Sequence, residues 1–183
     1  MMRLALAVLS GALLSVAACS QAPTETAPAE KATAASTAED EAAIRKLFAD
    51  LMAAVKAEDA AAVAQAYAPE GFIYLDVSTP RAFHGREGAE HTWKLWFSMI
   101  EPGSGTGDAT ELQVTVVGDY AFAMHFDHYT AKPKDPKLQH LVDFTNRATS
   151  WLKKIDGRWY ILVEHNSFPV DLVNGQADFK SKE

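Results

Sequence analysis

Arg147, His165 and Ser167 are the side chains of this 183-residue chain whose types and spacing most directly allow chemistry. They lie in the stretch 147–169, RATSWLKKIDGRWYILVEHNSFP, which reads as a β-hairpin. Asp156-Gly157 is its turn, a dipeptide that favours the type I′ geometry matching strand twist. Side chains alternate along a strand. Arg147, Thr149 and Trp151 therefore share one face before the turn, and Trp159, Ile161, Val163, His165 and Ser167 share one face after it. A guanidinium reads a carboxylate through two parallel hydrogen bonds, and a histidine adds a donor that depends on pH. Arg147 and His165, with Thr149 and Ser167 beside them, are thus expected to hold an anionic group. The alternative is that Arg147 pairs with a buried acid and His165 is a hydrogen-bonded core residue. A Ser–His nucleophile is a poor fit, because residues two apart on a strand rarely face each other and no nucleophile elbow surrounds Ser167.

His125 and Asp127 form a second constellation. Two apart on one strand, they share a face with Tyr129 and could be a base with its orienting carboxylate, or a simple surface pair. His125 and His128 resemble a metal pair on paper, but their odd spacing sends them to opposite faces of a sheet. No metal and no cofactor is expected. His84, His91 and His140 have no evident partner.

The elements that must position these residues follow from periodicity. Ile44, Leu47, Phe48, Leu51, Met52 and Val55 form one helical stripe, after a cap at Ser36 or Thr37 with an acid three residues on. A short Ala-rich helix over 59–67 ends at Pro69 and Gly71, and 72–77 reads as a strand. After a loop to Gly85, a third helix carries Ala89, Trp93, Trp96, Phe97 and Ile100 on one face, and the Pro/Gly stretch 102–107 ends it. From residue 110 the period becomes two: 110–117 and 120–131 are strands, 132–139 is a loop, and the hairpin supplies the last two strands. Helices segregated from a meander indicate an α+β fold, with three helices packed on a strongly twisted antiparallel sheet around a conical cavity.

Composition narrows the class. A net charge of −7 and pI near 5.3, without any basic cluster, argue against nucleic acid. The lone cysteine, Cys19, can form no internal disulfide. It follows a basic start at Arg3, an apolar run from 4 to 16 too short to span a bilayer, and the small residues Ala17-Ala18. This resembles the lipobox of bacterial lipoproteins, cut before a cysteine that then carries lipid. An ordinary signal peptide with a chance cysteine is the alternative. Residues 1–18 are read as signal peptide, and 19–38, rich in Ala, Thr and Pro, as a flexible tether. Residues 39–175 are the domain and 176–183 a polar tail. Removing 1–18 takes away only Arg3, so −7 becomes −8. Ser20 after the cysteine resembles the signal for the outer membrane, which implies a cell-envelope protein lipid-anchored on its periplasmic face.

The segments YAPEGFIYLD (67–76), FHGREGAEHTWKLWF (83–97), VGDYAFA (117–123) and the hairpin resemble the SnoaL-like branch of the NTF2-like superfamily over about residues 39–170. That group includes ketosteroid isomerase, polyketide cyclases and the association domain of calcium/calmodulin-dependent kinase II. The resemblance implies the conical fold, dimerisation through the outer face of the sheet, and a pocket walled by Tyr74, Trp93 and Trp96. The similar region of the kinase domain accepts carboxylates, which agrees with Arg147 and His165. Asp76 falls near the general-base aspartate of ketosteroid isomerase, although Leu75 is the strict equivalent and a strand-end or loop-capping carboxylate is the alternative. That isomerase serves as the standard example of paired oxyanion donors. Here the first helix offers Phe48 in place of the donor tyrosine, and Thr145 or Thr149 stands near the comparable strand positions. Steroid isomerisation is therefore not expected.

Two functions follow. One is a membrane-tethered domain with a pocket for a small carboxylate or polyketide-like ligand, for binding or cofactor-free catalysis. The other is a non-enzymatic dimerisation or interaction module, with Tyr160, Leu162 and Phe168 as an apolar outer face. The fold itself does not decide between them.

Overall fold

The computed structural model describes residues 27–180, with the side chains of the first helix described from Thr37 onward. Helix α1 spans Ala27–Lys56. It begins ahead of the expected Ser36/Thr37 cap, because the Ala/Glu/Lys-rich segment before Ile44 holds strong helix formers and no breaker after Pro28. The expected tether is thus helical from Ala27, and its earlier part, with Cys19 and the signal stretch, lies outside the described residues. The stripe Ile44, Phe48, Leu51, Met52 and Val55 is buried as its spacing requires. Helix α2, Ala60–Ala64, starts at Asp59, whose carboxylate accepts from the Ala62 amide at 2.9 Å. Helix α3 spans Gly85–Met99 and buries Ala89 and Trp93.

Six strands form one sheet: β1 Ile73–Leu75, β2 Phe83–His84, β3 Thr106–Val117, β4 Tyr120–Thr130, β5 Asp143–Ile155 and β6 Arg158–Ser167. Their order is β2-β1-β6-β5-β4-β3. The sheet is mixed rather than antiparallel throughout, since β1 runs parallel to β6 with Tyr74 opposite Glu164. A three-residue strand carries no directional signal of its own, so this pairing is set by the tertiary structure. The β5–β6 turn is as expected, with Asp156 and Gly157 both at positive φ (50° and 78°). Residues 136–141 form a 3-10 turn where a loop is expected.

Helix α1 lies along β3, where the Arg45 guanidinium donates to the Leu112 carbonyl at 2.9 Å. Five residues earlier, Asp40 accepts from Lys154 Nζ at 2.6 Å and from Trp159 Nε1 at 3.0 Å, fixing the helix to the final hairpin. The expected polar tail is partly structured. The Thr145 amide donates to the Phe179 carbonyl at 2.9 Å, and the Phe179 ring packs on Phe168 at 4.7 Å between centroids.

Candidate functional site

The site is governed by one irregularity in β6. Trp151 pairs with Val163 and Leu152 with Ile161, so Leu162 is an extra residue and the register shifts there. Such a bulge moves every following side chain to the opposite face. Trp159 and Ile161 face the core, as expected. Beyond the bulge the core face passes to Glu164 and Asn166, both buried, while His165 is exposed.

The residues expected to hold an anion therefore lie on the outer face, away from the core. Arg147 is opposite Ser167 and Thr149 opposite His165, so the four residues do come together as a cluster. Arg147 is exposed and donates to the Phe168 carbonyl at 3.0 Å. In β5 the core face belongs to Asn146, Ala148, Ser150 and Leu152, one residue out of phase with Arg147, Thr149 and Trp151.

The inner face carries a polar cluster among apolar neighbours. His125 and Asp127, each 2% exposed, are joined by a 2.8 Å hydrogen bond between Nδ1 and Oδ1. The Nδ1–H donor leaves Nε2 without a partner among the described residues, and the ring meets Phe48 edge-on at 4.6 Å. Asp127 stands opposite Asn146 in register, and Ala148 stands opposite both His125 and Asn166. Alanine at that central position leaves room for the polar groups around it. Asn166 Nδ2 donates to the Tyr74 hydroxyl at 3.1 Å and to Glu164 Oε1 at 3.4 Å. Burial pushes the Glu164 carboxyl up to about 8, with Asp127 and Asp76 adding to the rise and the Asn166 hydrogen bond opposing it. At neutral pH Glu164 is therefore a neutral acid that can donate. Burial also raises Tyr67, Tyr74 and Tyr129 well above the ordinary tyrosine range.

Above this cluster, between α3 and the sheet, lies a cavity of about 160 Å³. Its walls include Tyr74, Trp93, Trp96, Tyr129 and Phe144, and its polar lining includes Asp76, Asn146 and Asn166. Trp93, Trp96 and Tyr129 meet at steep angles of 86°, 64° and 61°, so they form a corner and not a stack. Trp96 Nε1 is held by the Leu141 carbonyl at 3.1 Å. Asp76 reaches the cavity from the end of β1, with Oδ2 accepting from the Ser78 hydroxyl and amide. Phe168, expected on the outer face, and Phe179, expected in the tail, both line the cavity. Leu162 is half-buried against the core, and Tyr160 is flanked by the guanidinium groups of Arg86 and Arg158 at 5.4 and 4.8 Å.

The structure thus places Tyr74, Asp76, Trp93 and Trp96 at the cavity, His125 and Asp127 beneath it, and Arg147, Thr149, His165 and Ser167 outside. Sequence reasoning missed Asn146, Glu164 and Asn166. The available signal was phase: Asn146, Ala148 and Ser150 keep step with the apolar Leu152, whereas Trp151 keeps step with Lys153.

Comparison with known proteins agrees with this architecture. No curated protein matches the chain. An NTF2-like protein of unknown function from Pseudomonas putida KT2440 is 24% identical, with a TM-score of 0.68 over 80% of this chain and 99% of that one. A protein of Novosphingobium aromaticivorans, provisionally named a scytalone dehydratase, is 12% identical, with a TM-score of 0.59 over 69% of this chain and 82% of its own. A provisionally named calcium/calmodulin-dependent kinase II association domain from Xanthomonas campestris is 22% identical, with a TM-score of 0.53 over 68% and 84%. These likenesses establish the fold. The sequence profile of the SnoaL-like domain matches residues 44–171, and the chain belongs to that family.

Proposed function

We propose that this SnoaL-like domain binds a small organic molecule, about one ring in size, in the cavity between α3 and the inner face of the sheet. The carrying observation is that Asn146 and Asn166 both line the cavity, while Asn146 Nδ2 and Asn166 Oδ1 have no hydrogen-bond partner among the described residues. An unmade buried hydrogen bond costs about 1–3 kcal/mol, and a ligand with one acceptor and one donor would satisfy both. Apolar walls with a few converging polar groups are the usual form of a ligand pocket. A cavity of about 150 Å³ accommodates benzene, which sets the size. Asp76 is the lining group that could act as a base, and the His125–Asp127 pair and Glu164 support the floor from beneath. Asn166→Leu should weaken binding of benzyl alcohol at least about tenfold, the equivalent of one good hydrogen bond, while Arg147→Ala leaves it unchanged. The reverse pattern in calorimetry would return the site to the outer face.

A second reading concerns that outer face, where Trp151 (64% exposed), Phe122 (43%) and Met124 (39%) form a contiguous apolar patch. Such a patch supports self-association through the sheet, and it coexists with the pocket. The lipobox-like sequence before Cys19 supports a lipid-anchored domain at the periplasmic face of the outer membrane. Cys19→Ala should then move the protein from the membrane to the soluble fraction, and unchanged fractionation would exclude the anchor.

A further inference from the structure

Resting on the reading of the cavity as a ligand site, we propose that its preferred ligand is an organic cation, a protonated amine on a body of about one ring, and not a carboxylate. The one charged side chain lining the cavity is the Asp76 carboxylate, and no lysine, arginine or histidine is among its lining residues. Asp127, hydrogen-bonded to His125, and the neutral Glu164 carboxyl lie behind its floor. Arg147 and His165, which would have received an anion, are on the opposite face of the sheet.

The walls suit the same ligand. Aromatic faces attract a cation through the ring quadrupole, most strongly where water is excluded, and tryptophan does so best. Trp93, Trp96 and Tyr129 meet as an inclined corner with centroids 5.6–6.0 Å apart, so they offer surfaces in different directions to one occupant. Asp76 supplies the counter-charge at the cavity. Its Oδ2 is held by Ser78, which orients the carboxylate and leaves Oδ1 for an ammonium N–H. Asn166 Oδ1 provides a further acceptor.

Three probes of one shape separate the possibilities: benzylammonium, benzyl alcohol and benzoate, titrated calorimetrically into the protein at neutral pH and low salt. Benzylammonium should bind about tenfold or more tightly than benzyl alcohol, with benzoate weakest. Asp76→Asn should remove most of the preference for benzylammonium over benzyl alcohol. Equal binding of the alcohol, or tighter binding of benzoate, would overturn the cation preference and leave the cavity reading standing. No binding of any probe at millimolar concentration would overturn both.

Discussion

Replacing Glu164 by glutamine removes one titrating proton from the core without changing the side chain's size, and its effect on stability should depend strongly on pH. In the folded protein burial holds the Glu164 carboxyl at about 8, against an ordinary value of 4.5. Between these values the folded state keeps a proton that the unfolded state releases. Stability therefore falls as pH rises through the window, by about 1.4 kcal/mol per unit, and levels off above pH 8. Glutamine carries no such proton and abolishes this slope. Relative to the wild type, Glu164→Gln should show no pH-dependent gain below pH 4, then gain about 2 kcal/mol by pH 6, about 3 by pH 7 and about 5 above pH 9. A constant offset from the altered hydrogen bond to Asn166 shifts all points together. Urea unfolding of both proteins across pH 4–9 gives the difference directly, and taking the difference cancels the other titrating groups. Parallel stability profiles would refute the placement of Glu164 as a buried, neutral acid.

Other perturbations test other parts of the structure. A Cβ on Gly107 would sit 3.0 Å from the Tyr129 ring and 3.2 Å from Met52 Sδ, so Gly107→Ala should press Tyr129 toward the cavity. It should cost about 1–3 kcal/mol and weaken ligand binding, as thermal melts and calorimetry would show. Asp40→Ala removes the acceptor shared by Lys154 and Trp159 and should destabilise by about 1–3 kcal/mol in urea unfolding. Trp151→Glu places a charge in the outer apolar patch and should convert the proposed dimer of the wild-type protein to a monomer in sedimentation, with its fold intact. An unaltered dimer would exclude that patch as the interface.

Much of the frame was legible in the sequence. The α1 stripe, the aromatic face of α3, the Asp156-Gly157 turn and the shared face of His125, Asp127 and Tyr129 all follow from local periodicity, which local sequence encodes. The inner face of β6 beyond Leu162 was displaced by one residue for a physical reason. A bulge at Leu162 breaks the period of two in β6, yet neither Ile161-Leu162-Val163 nor its neighbours carry a glycine or proline to mark it. Extending the alternation through it exchanged Glu164 and Asn166 for His165 and Ser167. The parallel pairing of β1 with β6 and the return of Phe179 over the cavity are long-range contacts, fixed by packing across many residues. With the phase, Arg147 and His165 come to lie on the face of the sheet opposite the cavity.

The most direct test of which face is the site is an NMR titration of the labelled protein with benzylammonium, following side-chain resonances. The Asn146 and Asn166 amide groups and the Trp93 and Trp96 indole N–H groups should shift together with one affinity, while Arg147 and His165 stay fixed. Shifts confined to Arg147 and His165, with the two asparagines unmoved, would contradict the assignment of the inner cavity as the ligand site.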